Sequence, residues 1–246
     1  MVDHSCSDWF IEGCGHRFKM RCPRYIAGIL SQILTGWAVA RSEQILTQYQ
    51  ISVAFSDDCY FVDSIVLNQA ETHTDLINAI NELIVNLAYL VSNGEKNFRL
   101  VHCAAFVEDK MMNVIVGKKN RGKSSLVYRK ALKGAEIIAD DLLIWQPKLG
   151  KFYSLGFPIR LRRPVLTLDG EQANPDRIFA GNGIAYSKKN AFHIAPAGKE
   201  FLLDRLQELD QNFKPCAVSI LKTSAKLEEF IIGPEYTSQK KEFLEK

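Results

Sequence analysis

Residues 111–134 read Met-Met-Asn-Val-Ile-Val-Gly-Lys-Lys-Asn-Arg-Gly-Lys-Ser-Ser-Leu-Val-Tyr-Arg-Lys-Ala-Leu-Lys-Gly. An apolar β-type run, Met111–Val116, gives way to a polar loop, Gly117–Lys123. A helical run, Ser124–Leu132, follows, and Gly134 stops it. Gly117-Lys118-Lys119-Asn120-Arg121-Gly122-Lys123-Ser124 fits G-x-x-x-x-G-K-S/T at every fixed position. The spacing has a physical basis. Gly117 lets the chain leave the strand and Gly122 lets it wrap, so successive N–H groups point inward at phosphate oxygens. Lys123 adds a point charge near the β- and γ-phosphates. The Ser124 hydroxyl is suited to ligate Mg2+, and the helix N-terminus adds its partial positive charge. The candidate nucleotide-binding residues are therefore Gly117, Lys118, Lys119, Asn120, Arg121, Gly122, Lys123, Ser124 and Ser125. The interior Lys118-Lys119-Asn120-Arg121 is bulkier than the small residues such loops usually bring close to phosphates. It either strengthens anion binding or crowds the site.

On either side of this stretch the grammar is of strands. Leu100–Val107 reads as one strand, with His102 near its start. Ala135–Trp145 reads as another, interrupted by Asp140-Asp141. Strand, loop, helix and strand with short connections make a βαβ unit, and hence an α/β core. Two adjacent carboxylates in a buried strand are costly without partners. Alternation points them to opposite faces, so they should have different roles. One can serve Mg2+ and the other can take a hydroxyl proton. A turn-type Asp-Asp, as at Asp57-Asp58, is the plain alternative, and the apolar flanks argue against it. On spacing alone His102 reads as a structural strand histidine. In Gly156–Pro164, Arg160 and Arg162 would share a face of an extended segment with Arg163 opposite. Guanidiniums there suit phosphate or carboxylate recognition, or form a solvated basic edge.

The first 97 residues read as a smaller α+β module that contains no constellation demanding chemistry. Trp9–Arg21 is a hairpin around Gly13 and Gly15. Arg24–Val39 is a helix. Gln50–Phe55 and Tyr60–Ile65 form a second hairpin around Asp57-Asp58. Thr74–Ser92 is a long amphipathic helix capped by Thr74 and ended by Gly94. The bland role for this module is a scaffold or acceptor-docking unit, followed by a larger domain over 98–246.

Length and composition bound the rest. The chain has 246 residues, 47% hydrophobic and 24% charged, which excludes a largely disordered protein. Lys+Arg 31 against Asp+Glu 28 gives +3, too little to mark the whole protein as a nucleic-acid binder. Seven cations nevertheless fall between Met111 and Ala135 with no acidic residue among them. Met1–Cys6 shows neither the basic nor the apolar region of a secretory signal, and no apolar run is long enough to span a membrane. The six cysteines lack paired spacing, so a reducing cytoplasm is the expected compartment. His4, Cys6, Cys14, His16 and Cys22 fall close together. Their His-x-Cys and Cys-x-His spacing lacks the two-thiolate knuckle of structural zinc sites. Reduced cysteines packed in a hairpin are the simpler reading.

Val101-His102, Gly117–Ser124, Gly134 and Asp140-Asp141 together resemble the catalytic core of the HPr serine kinase/phosphorylase family. That family reads V-H-G, then G-x-S-G-x-G-K-S, then a strand ending in D-D, and the intervals match without gaps over Leu100–Trp145. The resemblance implies a P-loop sheet core related to that of phosphoenolpyruvate carboxykinase, and transfer of the γ-phosphoryl group of ATP to a hydroxyl. By position it implies that Lys123 and the loop amides hold the phosphates, and that Ser124 and Asp141 serve Mg2+. Asp140 would be the general base, oriented by His102. Arg160 and Arg162 are candidates for stabilising the transferred group. Ser125 stands where the family has Glu. The family's E-I-R-G-L-G-I-I-N-V stretch, linked to phosphorolysis and hexamer assembly, is missing. The chain thus resembles the smaller stand-alone members, some of which phosphorylate a serine of a ribosomal peptide, and kinase activity without phosphorylase activity is expected.

The expected function is therefore an ATP-dependent kinase acting on a Ser/Thr hydroxyl of a peptide or protein. A small-molecule hydroxyl kinase and a non-catalytic nucleotide sensor are the alternatives. Nucleic acid and membrane are not expected partners, and the sequence leaves the oligomeric state open.

Overall fold

The computed structural model of the chain describes residues 3–67, 69–95, 97–162, 178–180, 184–210 and 214–233, with the backbone alone for Arg162, 178–180 and Ile220. From the N-terminus, β1 (Cys6–Gly13) and β2 (His16–Pro23) form a hairpin, and α1 (Arg24–Ile33) follows. Then β3 (Ala38–Arg41), β4 (Ile51–Ser56), β5 (Cys59–Ser64) and β6 (Glu71–His73) lead into α2 (Leu76–Gly94). These strands make a six-stranded sheet in the order β3-β1-β2-β4-β5-β6, with β2 and β4 parallel. The Cys14-Gly15 and Asp57-Asp58 turns hold both central residues at positive φ, the conformation whose twist matches flanking strands. The expected helix Arg24–Val39 is shorter than its apolar pattern. Leu34 turns extended, Gly36 adopts φ +76, and the chain enters β3. The cap of α2 is Asp75, not Thr74: its carboxylate accepts from the N–H groups of Ile77 and Asn78.

The second half opens with β7 (Arg99–His102), β8 (Ala104–Glu108), β9 (Met111–Val116), α3 (Lys123–Leu132), β10 (Glu136–Ala139) and β11 (Leu142–Gln146). The further elements are β12 (Lys151–Tyr153), β13 (Arg160–Arg162), β14 (Ile178–Ala180), β15 (Ile184–Ser187), β16 (Glu200–Leu202), β17 (Arg205–Leu209), β18 (Pro215–Ala217), α4 (Thr223–Glu228) and β19 (Ile231–Ile232). One sheet runs β10-β8-β9-β17-β18 and another β16-β12-β11-β7-β19, while β13-β15-β14 form a small third. The fold is thus mixed α/β with several sheets. Both β9 and β10 run antiparallel to β8, so the unit β9–α3–β10 joins parallel strands with β8 between them.

The two long strands expected around this unit are each divided. Leu100–Val107 breaks at Cys103 into β7 and β8, and Ala135–Trp145 breaks at Asp140-Asp141 into β10 and β11. The pieces keep pairing as one bent ribbon. Ala139 lies opposite Ala105, Leu142 opposite His102, and the Cys103 N–H donates to the Asp141 carbonyl at 3.1 Å. Two residues oppose two across this break, so the register is kept while the ribbon bends from one sheet into the other. The register shift lies just before it, between Ile137 and Ala139.

The helix α2 lies between layers. Ile80, Leu83 and Leu87 are buried against the six-stranded sheet. The same apolar cluster takes in Leu100, Leu142, Ile144, Leu155 and Tyr186 from the second half. A helix buried on more than one face fits this position. A Cβ at Gly156, whose φ is +66, would collide with the Thr35 carbonyl oxygen of the α1–β3 connection. No helix among the described residues is long and apolar enough to cross a membrane. All six cysteines are free. His4 bonds to the Tyr25 hydroxyl and stacks on Phe55, Cys14 reaches the Ser154 carbonyl, and Cys22 sits in the core. The five candidate zinc ligands therefore do not converge, and among the described residues no group of three or more His, Cys, Asp or Glu gathers as a metal site.

Candidate active site

The loop 117–124 leaves the C-terminal end of β9 and closes on Gly122, which adopts φ +82 and caps α3. Only a residue without Cβ takes that conformation without strain. The first-turn amides of α3 have no intrahelical acceptors, and no acidic side chain occupies that turn. Lys123 opens the helix and is buried, 6% exposed. Its ammonium donates to the carbonyls of Gly117 at 2.7 Å and Lys118 at 3.3 Å, so the loop folds around its own cation. At the other end of α3, Lys130 is bound by Glu108 and, with Arg129, complements the helix C-terminus. Those two cations are structural.

Residues far apart in sequence line one cavity of about 220 Å3. The loop and helix start contribute Lys119, Asn120, Arg121, Gly122, Lys123, Ser124 and Ser125. Facing them are His102 from the end of β7, Asp140 and Asp141 from the bend between β10 and β11, and Arg160 with Leu161 from β13. Of the candidates, Gly117 and Lys118 stay off the cavity wall and supply carbonyls to Lys123. The Arg162 side chain and Arg163 lie outside the described residues.

The acidic pair divides its contacts. Asp140 is 5% exposed. Its Oδ2 accepts the Arg160 backbone N–H at 2.7 Å, and its Oδ1 is buried with no hydrogen-bond partner among the described residues. Burial pushes its carboxyl up to about 7, against the opposing pull of the Arg160 N–H. Asp141 is more open. Its Oδ1 lies 2.9 Å from His102 Nε2 and its Oδ2 3.2 Å from the Arg160 guanidinium. His102 therefore orients Asp141, not Asp140 as the resemblance implied. Nor do the carboxylates face opposite ways: both residues lie in the bend between β10 and β11, where strict strand alternation does not apply, and both line the cavity.

Two contributors come from outside the expected set. Asn81 of α2 accepts from Arg160 and from the Tyr186 hydroxyl, and burial pushes the Tyr186 phenol well above its ordinary range. Asn81 leaves a faint trace in the sequence, as a polar residue among Ile77, Ile84 and Val85. Tyr186 leaves none.

Chemically, a buried cation and the first-turn amides of α3 form one wall, and a carboxyl poised near neutrality forms the other. Such a cavity suits an anion beside a group that must lose a proton. The Ser124 hydroxyl and Asp141 carboxylate are hard oxygen donors on its wall, a set suited to Mg2+, which keeps waters and phosphate oxygens as its remaining ligands. No family model matches this chain, and no curated protein matches it.

Proposed function

We propose that the chain is an ATP-dependent kinase that transfers the γ-phosphoryl group to a hydroxyl acceptor, a Ser/Thr of a peptide or protein before a small molecule. The reading is carried by one observation: the loop 117–124, with Lys123 beneath it, shares a single cavity with Asp140, Asp141 and His102. Lys123 and the first-turn amides of α3 would bind the phosphates as a P-loop does. Ser124 and Asp141 would hold Mg2+, whose charge offsets that developing on the phosphoryl oxygens.

Asp140, protonated at acid pH and ionised above about 7, is the base. It takes the acceptor's hydroxyl proton as that oxygen bonds to the γ-phosphorus. The bond from phosphorus to the β–γ bridging oxygen breaks, and ADP leaves. Arg160 adds positive charge at the cavity wall and holds Asp141, and His102 fixes the other Asp141 oxygen. The bulky Lys119, Asn120 and Arg121 lining the cavity favour a second reading, a nucleotide sensor without turnover.

Mass spectrometry of a serine- and threonine-containing peptide library, and separately of hydroxylated metabolites, incubated with Mg-ATP distinguishes these readings. A one-phosphate gain on a peptide with matching ADP is expected. A gain only among metabolites moves the acceptor class. Bound ATP with no product in either pool gives the sensor, and no nucleotide binding removes the reading altogether.

A further inference from the structure

Helix α2 belongs to the N-terminal module, yet its Asn81 bonds to Arg160 of the cavity wall. Asn81 has Ile77, Ile84 and Val85 within one turn of it, so an apolar side chain would extend that strip. Instead its Oδ1 accepts two hydrogen bonds, from Arg160 Nη1 at 2.6 Å and from the Tyr186 hydroxyl at 2.8 Å. The donors are neighbours, because β13 and β15 pair Arg160 opposite Tyr186. The arginine side chain is 17% exposed, and its other arm, Nη2, reaches Asp141. Asn81, Arg160, Asp141 and His102 thus form one line of contacts from α2 to β7.

Arg160 stands between two spaces. On one side is the 220 Å3 cavity. On the other is a void of about 30 Å3 bordered by Asn81, Ile84, Phe157, Pro158 and Tyr186. That is about the room of one water molecule. A guanidinium released from Asn81 is no longer fixed against Asp141, which would lose the partner that opposes His102.

We propose that Asn81 is a positioning residue for phosphoryl transfer, holding Arg160 forward against Asp141, so that the N-terminal module completes the active site instead of only docking an acceptor. This rests on the kinase reading above. Because Asn81 lies away from the loop 117–124, its loss acts on turnover and not on nucleotide affinity.

The test compares full-length wild type, Asn81→Leu and Asn81→Asp with Mg-ATP and the serine- and threonine-containing peptide library. It reads kcat, KM for ATP and the melting midpoint. Asn81→Leu is expected to lower kcat about 10- to 100-fold, with KM for ATP within about twofold. Asn81→Asp keeps an acceptor oxygen for both donors and should recover kcat to within about threefold of wild type. Wild-type kcat in Asn81→Leu overturns the inference alone. So does a parallel fall of kcat and melting midpoint in both variants, which a purely structural role gives. A wild type that binds Mg-ATP and transfers nothing overturns the kinase reading, and this inference with it.

Discussion

Asp140 is the residue where folding and chemistry pull in opposite directions. Its carboxyl is buried, holds one backbone N–H, and has one oxygen without a hydrogen-bond partner among the described residues. Its folded pKa, about 7, is above the unfolded value of about 3.9. The native state therefore binds the proton more tightly than the unfolded chain. The corresponding stability is fully present below about pH 4 and is lost as the pH rises through about 7. The shift corresponds to an amount on the order of 4 kcal/mol. Asp140→Asn should remove this dependence, so that urea unfolding at pH 5 and pH 8 differs less in the variant than in wild type. An unchanged pH dependence would show that Asp140 ionises freely in the folded protein.

The acidic pair was legible in sequence because apolar residues flank it on both sides. The identity of its partners was not. The bend between β10 and β11 decides which carboxylate meets His102, and the contacts from Arg160, itself held by Asn81, arise only when distant strands and a helix are packed together.

At the scale of elements, the loop and α3 were the most legible part. Their signal is local: an apolar run, glycines at fixed offsets, then helix-forming residues. In 136–146 the Asp140-Asp141 interruption marked the break. The division of 99–108 into β7 and β8 was hidden, because an unbroken apolar run looks the same whether it stays in one sheet or crosses between two. The ends of α1 were hidden for a similar reason. Its apolar spacing runs on to Trp37, but the Trp37 indole N–H reaches the Leu155 carbonyl at 2.7 Å, and the Thr35 N–H reaches the Gly156 carbonyl. These contacts favour an extended connection over another helical turn. Gly156 is the critical point of that junction, since a Cβ there meets the Thr35 carbonyl and its φ is positive. Gly156→Ala should destabilise the fold by about 1–3 kcal/mol, read as a lower denaturant midpoint at unchanged slope. A midpoint equal to wild type would mean the connection yields without cost.

Across the whole molecule, α2 ties the halves together. Its apolar faces share one core with strands from both, and Asn81 holds Arg160 of the cavity wall. The sequence divided the chain at residue 97 because the motifs lie beyond it. A shared core leaves no mark at that boundary, since each half is apolar for its own reasons. The charge cluster between Met111 and Ala135 resolves into parts with different duties. Lys123 forms the floor of the cavity, Lys119 and Arg121 line it, and Lys130 anchors α3 to β8 through Glu108. What unites these parts is the proposal that Asp140 accepts a proton from a hydroxyl while the loop opposite holds ATP. The measurement that bears on it most directly is Mg-ATP affinity and phosphotransfer rate, determined side by side for wild type and Asp140→Asn. Affinity within about twofold of wild type and a rate lower by about 100-fold or more are expected for loss of a general base. Transfer by Asp140→Asn at the wild-type rate would contradict the proposal.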